Sequence, residues 1–358
     1  MTKLHTPGFN ALSRYARMLG FGDIHTKIDK ETGLHAIIAV HNTTLGPAIG
    51  GCRLYTYSAA EFALKDALRL AYGMTLKAAA CGLPHGGAKA VILKPKNLSA
   101  DNRPDLFRSF GDFVHTLGGR YITAMDVGST VDDMTTILER TSYVIGARGP
   151  GRIDEDPSPS TARGVFRAIE AAVKFKLHRD DCSGLRIAIQ GAGHVGFLLA
   201  KHCVDNGMHV FISDINSQAA KHAADMLGVT VIAPDKIETI DCDIYAPCAL
   251  GGTISHDFIS KVTASIIAGS ANNQLAHHSI AGLMQEKGLL YLPDFLINSG
   301  GLINAAMTYG YQDITIANKK IDEIYATTLH LLERAASTGK TTARVAEDIA
   351  FERLRTAP

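Results

Sequence analysis

Two hydrophobic periods alternate along the chain. HAIIAVHN (35–42) is a continuous apolar, β-branched run, the pattern of a buried strand. SAAEFALKDALRLAYGM (58–74) instead spaces Phe62, Leu64, Ala67, Leu68 and Leu70 along one helical face. AVIL (90–93) predicts a strand, 103–117 a helix and YITA (121–124) another strand, which together read as an α/β domain. Between 147 and 160 the run ARGPGRIDEDPSPS gathers Gly, Pro, Asp and Ser, the composition of a linker, and predicts a domain boundary. After a helix over about 161–176, RIAIQ (186–190) opens a second series. There HVFIS, VTVIA, CDIYAP, ASIIAG and LLYLP alternate with helical segments to about residue 297, which implies a parallel sheet covered on both faces. From 298 onward the pattern is helical, and ARVAEDIAFERLR is amphipathic enough to pack back on the body.

Composition narrows the class of partner. The 358 residues suffice for two domains, and 36 basic against 35 acidic residues leave no global field to draw in nucleic acid or an anionic membrane. A small-molecule partner is expected. Six scattered cysteines show no CxxC or paired-ligand spacing, so they read as free thiols in a reducing compartment, and no metal site is expected. The adjacent His277 and His278 lack placeable co-ligands and read as solvated. The N-terminal residues have no apolar stretch of signal-peptide length, and no window approaches the ~20 apolar residues of a membrane span. A soluble, cytoplasmic protein is the expectation.

The sharpest motif follows RIAIQ. Gly191-Ala192-Gly193-His194-Val195-Gly196 is a GxGxxG loop with a strand before it, a helix after it, and a second strand ending at Asp214. This spacing suits a dinucleotide: Gly191 makes the tight turn, Gly193 admits the pyrophosphate, Gly196 lets the helix pack closely, and Asp214 bonds a ribose diol. The phosphates would meet the positive end of the helix dipole. A carboxylate at 214 repels a 2′-phosphate, which favours NAD over NADP. A ligand-free tight turn is the plain alternative.

A second stretch, KAAACGLPHGGAKAVI (77–92), carries Lys77 and Lys89 among small and apolar residues with no Asp or Glu. Desolvating an unpaired ammonium is costly. Two such groups in a dry, glycine-lined pocket suit a small anion and a reacting carbonyl or imine. One fixes a carboxylate; the other, its pKa lowered by desolvation and by its like-charged neighbour, moves protons. Lysines that snorkel outward from an apolar loop stay open as an alternative. Asp126 follows the strand YITA at its C-terminal end, where open α/β sheets place ligands, and offers a proton-passing carboxylate; a turn-capping Asp is the alternative there.

Taken together, these segments resemble the amino acid dehydrogenase family of leucine, valine and phenylalanine dehydrogenases, with glutamate dehydrogenases more distant. The resemblance runs through GPAIGGCR (46–53), GMTLKAAACGLPHGGAKAVI (73–92), ITAMDVGSTVDDM (122–134), PSPSTARGV (157–165), the GAGHVG loop, CDIYAPCALGG (242–252), IAGSANNQL (267–275) and PDFLINSGGLIN (293–304). It implies an α/β fold: a substrate, catalytic and oligomerisation domain (1–150), a Rossmann-type NAD-binding domain (151–337), a cleft between them, and a C-terminal helix (about 338–358) on the first.

By position, the resemblance gives Lys77 the substrate α-carboxylate, and Lys89 and Asp126 the catalytic roles. Gly50 lies in a glycine pair whose backbone borders the substrate. Ile49, Ala124, Leu302 and Ala305 line the side-chain pocket. Ser158 and Thr161 match residues at the nicotinamide end, Asp214 the ribose ligand, and Ala249 and Asn272 line the cofactor cleft, with Asn272 also near the substrate. The implied reaction converts an L-amino acid, NAD and water to a 2-oxo acid, ammonia and NADH, in a homo-oligomer, often an octamer. Met125 departs from the Glu usual in leucine dehydrogenases and bears on pH dependence. An all-apolar pocket disfavours glutamate and leans towards branched-chain substrates, with aromatic ones as alternative. A dinucleotide-binding sensor that lost the chemistry is the other reading, against which the joint presence of Lys77, Lys89 and Asp126 argues.

Overall fold

In the computed structural model, which describes residues 14–21, 23–149, 156–311 and 313–357, the first apolar run becomes β2 (Leu34–Asn42). It pairs antiparallel with β1 (Asp23–Asp29) and with β4 (Gly86–Leu93). β4 lies parallel to β3 (Ala48–Tyr55), and β3 parallel to β5 (Tyr121–Met125), giving the order β1-β2-β4-β3-β5. The sheet is therefore mixed, and β3 separates the strand that carries Lys89 from the strand that leads into Asp126. Neither β1 nor β3 has a continuous apolar run: β1 alternates, and Gly50 and Gly51 interrupt β3.

Alternation along the strands sorts the two faces. Cys52, Leu54, Ala88, Ala90, Ile92 and Tyr121 pack with Leu106, Phe107 and Phe110 of α2 (Arg103–His115). On the other face Ile37, Ala39 and Val91 meet Ala63, Ala67, Leu68 and Ala71 of α1 (Ala60–Ala80). Phe62, expected on the buried face of this helix, is 57% exposed. The face turned to the sheet is the stripe Ala63, Ala67, Leu68 and Ala71, and Phe62 lies about 100° around the helix from Ala63. The short α3 (Val131–Leu138) is held by a reciprocal capping box between Thr130 and Asp133.

Further along the chain, among the described residues, come α4 (Pro157–Leu177), α5 (His194–Asp205), α6 (Ser217–Leu227), α7 (His256–Lys261), α8 (Ile280–Glu286), α9 (Asp294–Ile297), α10 (Gly300–Tyr311), α11 (Ile314–Thr338) and α12 (Thr342–Thr356). α4 begins within the stretch expected to be linker, because Asp156 accepts from Ser158 N as N-cap and Pro157 takes the first helical position. Residues 150–155 of that stretch lie outside the described residues, as do residues 1–13 of the N-terminal segment.

Six strands follow: β6 (Arg186–Gln190), β7 (His209–Ser213), β8 (Thr230–Val231), β9 (Ile244–Pro247), β10 (Ile266–Ile267) and β11 (Leu290–Tyr291). All pair parallel, in the order β8-β7-β6-β9-β10-β11. The chain starts in the middle, winds outward one way, then returns to wind the other, so the direction switches between β6 and β9. That is the doubly wound order of dinucleotide-binding folds.

The chain divides into two compact units: Met1–Glu155 with Thr308–Gln312 and Ala350–Pro358, and Asp156–Met307 with Asp313–Ile349. The end of α12 thus belongs to the first unit, where Arg353 donates to the Ala79 and Ala80 carbonyls at the C-terminal end of α1, the bond to Ala79 O measuring 2.8 Å. Ala79 O also accepts from Gly82 N at 3.0 Å, so the guanidinium adds to the bonds that close the helix end. Among the described residues no helix is long and apolar enough to cross a membrane.

Candidate active site

Lys89 sits mid-strand in β4 on the face that α1 covers, 6% exposed. Its Nζ lies 3.1 Å from Asp126 Oδ1. The second Asp126 oxygen accepts from Arg53 Nε at 2.8 Å. Arg53 NH1 donates to Asp66 Oδ2 on α1 (2.8 Å), which also accepts from Tyr57 Oη (2.7 Å), while Arg69 bonds the other Asp66 oxygen at 3.0 Å. Charges therefore alternate from Lys89 through Asp126, Arg53 and Asp66 to Arg69.

The turn after β5 is rigidly tied. Asp126 N donates to Ser129 Oγ at 2.9 Å, and that hydroxyl reaches the Cys52 carbonyl at 2.9 Å. Arg103 holds Asp133 with two bonds and the Gly128 carbonyl with a third, 2.7 Å. Gly51 is required for this approach: a Cβ there would fall 2.4 Å from Met125 O and 2.9 Å from Asp126 Cβ.

Electrostatics follow from this geometry. Burial pushes the Lys89 amine below the usual lysine range; Asp126 pulls it back, and Arg53 adds to the lowering. Burial would raise Asp126, but Lys89 and Arg53 outweigh it and hold the carboxyl below its ordinary value. Arg53 supplies a like charge that the sequence reading sought only in Lys77. Lys77 itself lies in the last turn of α1, half-buried. Gly86 and Gly87, expected to line a pocket, instead admit the chain's own backbone: a Cβ on Gly86 would lie 1.8 Å from Asn42 O, and one on Gly87 2.1 Å from Thr75 N.

Ile49 and Ala124 share the Lys89 face by alternation, Ile49 opposite Gly87 and Ala124 opposite Gly51. The Gly50 carbonyl accepts from buried Tyr121 Oη at 2.7 Å. Met125 packs with the cluster beneath α2, so the charge it lacks would have faced that cluster, not the Lys89 pair.

In the second unit the loop glycines separate by role. Gly191 has φ +110°, and a Cβ there would lie 2.8 Å from the Cys248 carbonyl carbon. On Gly196 it would sit 2.0 Å from Gly191 O, whereas on Gly193 it meets nothing within 4 Å. Gly193 is the N-cap of α5 and offers no side-chain cap to the first-turn N–H groups. Open room beside free donors at a helix N-terminus fits a pyrophosphate. Asp214 accepts from Ala192 N and Asn216 N, each at 2.7 Å, which fixes the carboxylate beside the loop. Ala249, exposed, follows β9 across the switch point. Val195 is half-buried, and the exposed His194 has Nδ1 3.8 Å from Asp156 Oδ2. These residues fit a dinucleotide.

Ser158 is buried in the first turn of α4, and Thr161 Oγ1 donates to Pro157 O at 2.8 Å. Gly300 and Gly301 let α10 start hard against that turn: a Cβ on Gly300 would lie 1.9 Å from Ser160 O, and one on Gly301 2.9 Å from Thr161 Oγ1. Leu302 and Ala305, both half-buried, belong to α10. Asn272 is exposed, and its Oδ1 accepts from Asn298 Nδ2 at 2.9 Å, which orients its amide. Sequence reasoning missed Arg53, Asp66 and Asn298. Arg53 and Asn298 lie inside quoted motifs, but no spacing rule marks them.

Comparison with known proteins shows the family. The profile described as Glu/Leu/Phe/Val dehydrogenase, dimerisation domain, matches residues 21–143, and that described as Glutamate/Leucine/Phenylalanine/Valine dehydrogenase matches 212–357. The chain is 45% identical to leucine dehydrogenase of Bacillus cereus over 328 residues, covering 91% of this chain and 88% of that protein. It is 42% identical to L-tryptophan dehydrogenase of Nostoc punctiforme over 326 residues, covering 91% of each. The crystal structure of L-tryptophan dehydrogenase from Nostoc punctiforme superimposes with a TM-score of 0.86 at 40% identity, covering 96% of this chain and 99% of that one.

Proposed function

This chain belongs to the Glu/Leu/Phe/Val dehydrogenase family, and we propose that it catalyses the reversible, NAD-dependent oxidative deamination of an apolar L-amino acid, leucine-like side chains preferred, to the 2-oxo acid, ammonia and NADH. The observation that carries this reading is the buried Lys89–Asp126 pair, 3.1 Å apart on the face beneath α1. NAD, held at its pyrophosphate by the 191–196 loop and at its ribose by Asp214, supplies the hydride acceptor. Lys77 pairs with the substrate α-carboxylate as a point charge. Asp126, kept ionised by Lys89 and Arg53, takes a proton from the substrate ammonium. Lys89, whose protonation burial disfavours, accepts a proton from the water that adds to the imine carbon, and the ammonium so formed stabilises the new oxygen. Asp126 returns its proton to the carbinolamine nitrogen; as the C–N bond breaks, the hydroxyl proton passes to the departing ammonia and Lys89 releases its proton to solvent, so one water enters and one ammonium and one proton leave.

Ile49, Ala124, Leu302 and Ala305 are the side-chain positions. All are apolar, so a second carboxylate would be buried without a partner, and glutamate is disfavoured. By the resemblance, Ile49 and Ala124 look leucine-type and Leu302 phenylalanine-type. Aromatic substrates are the second reading, favoured by the room that Ala305 leaves and by the 42% identity to a tryptophan dehydrogenase. The subunits associate with copies of themselves, an octamer being the state that the family resemblance implies, and the dimerisation-domain match over 21–143 supports association. The six thiols form no disulfide, which suits a reducing cytoplasm.

The test is kcat/KM for NADH formation across valine, leucine, isoleucine, phenylalanine and tryptophan. Branched-chain values should lead. Higher values for phenylalanine or tryptophan select the aromatic reading, and NAD binding without turnover of any amino acid selects the silent sensor.

A further inference from the structure

We propose that Arg53 is a positioning residue of this site: it fixes Asp126 with one oxygen towards Lys89, and its charge, set against that of Asp66, determines the pH at which the Lys89 amine becomes free to accept a proton. The inference rests on the deamination reading of Lys89.

Two donors hold two different oxygens of Asp126, Arg53 Nε on Oδ2 and Lys89 Nζ on Oδ1. The carboxylate cannot turn without breaking one of them. Without Arg53, Asp126 would face one cation only and favour its proton strongly. The guanidinium shares that attraction and adds a like charge. Asp66 works the other way: it holds Arg53 NH1 at 2.8 Å, partly offsets its charge, and is itself fixed by Tyr57 and Arg69. Arg53 and Asp66 are both largely buried, their side chains 21% and 17% exposed, so solvent screens them weakly.

The other titratable groups near this face are accounted for. Lys77 rises from α1. His41 of β2 is held neutral: burial lowers its pKa, and Nε2 donates to the Leu19 carbonyl at 2.7 Å while Nδ1 accepts from Thr75 Oγ1 at 2.8 Å. Behind the sheet, Cys52 is pushed up to about 12 by burial and stays protonated. Opposite-signed Arg53 and Asp66 are the fixed charges whose removal moves Lys89 in opposite directions.

The test compares Arg53→Gln, Arg53→Lys and Asp66→Asn in the full-length protein by two readouts. One is the pH profile of kcat/KM with leucine and NAD. The other is competitive acetylation of Lys89 against pH, followed by peptide mass spectrometry, which needs no turnover. Arg53→Gln should move the acid limb and the Lys89 labelling midpoint up by about one pH unit, an activity loss of about tenfold below the limb that higher pH recovers. Asp66→Asn should move both down. Arg53→Lys should restore the midpoint but not kcat, because one ammonium cannot hold both carboxylates in the fork geometry. Shifts of the same sign in Arg53→Gln and Asp66→Asn, or activity lost evenly at all pH with an unmoved midpoint, overturn the inference. If the wild type turns over no amino acid, the deamination reading fails, and the labelling midpoints alone decide whether Arg53 sets Lys89. Should Arg53→Gln fail to fold, the direction of the Asp66→Asn shift decides.

Discussion

Lys89 shows how a solvated point charge becomes a base. Burial removes the water that favours its ammonium, and Asp126 retains part of that stabilisation, so the amine titrates below the ordinary 10.5. The sign follows directly. A base acts only when neutral, so kcat/KM for deamination should rise with pH through a limb that lies below 10.5. Asp126 favours the proton on Lys89, so Asp126→Asn should move that limb to lower pH while lowering the plateau about 10²- to 10⁴-fold, as measured by steady-state NADH formation. A limb that stays in place or moves up contradicts the pairing. Lys89 stood out in the sequence because a lysine without counter-charge in an apolar run violates a local preference, and Asp126 because it lies at the C-terminal end of a strand, where open α/β sheets place ligands. Arg53 was not legible. It stands 73 residues from Asp126 in the chain, and an arginine near the end of a strand violates nothing.

At the scale of the element, the nucleotide loop is where sequence and structure agree most closely. Each glycine of GxGxxG answers to a different neighbour: Gly191 to a turn, Gly196 to a carbonyl, Gly193 to open space. Those differences make a paired prediction. Gly196→Ala forces a methyl to 2.0 Å from Gly191 O and should lower stability by about 1–3 kcal/mol in thermal unfolding. Gly193→Ala meets no protein atom within 4 Å, so stability should fall by about 1 kcal/mol or less, through a weaker N-cap, while NAD affinity falls about tenfold or more by calorimetry. Equal losses of stability in the two variants would contradict the assignment of that room to the cofactor. Elements whose pattern is broken were harder to read. β3 escapes hydrophobic periodicity because Gly50 and Gly51 interrupt it, and those same glycines admit Ala88 O and the Asp126 turn. Pro157 and Asp156 read as linker because the residues that start a helix also make loops.

For the whole molecule, alternating strands and helices were enough to expect a doubly wound sheet in the second unit, and the order β8-β7-β6-β9-β10-β11 is that sheet. The first unit was less legible. Its order β1-β2-β4-β3-β5 is non-sequential and mixed, fixed by long-range pairing that no local pattern encodes. Yet that order makes the site, since β3 inserts Arg53 between the strand of Lys89 and the turn of Asp126. The account as a whole holds that one unit binds the dinucleotide while the buried pair of the other performs the proton transfers. Separating these two capacities tests it most directly: NAD affinity by calorimetry and NADH formation from leucine, measured side by side for the wild type and Lys89→Ala. The account predicts an NAD Kd within about twofold of wild type and turnover reduced about 10²- to 10⁴-fold or more. Turnover near the wild-type rate in Lys89→Ala, with NAD bound, would contradict it.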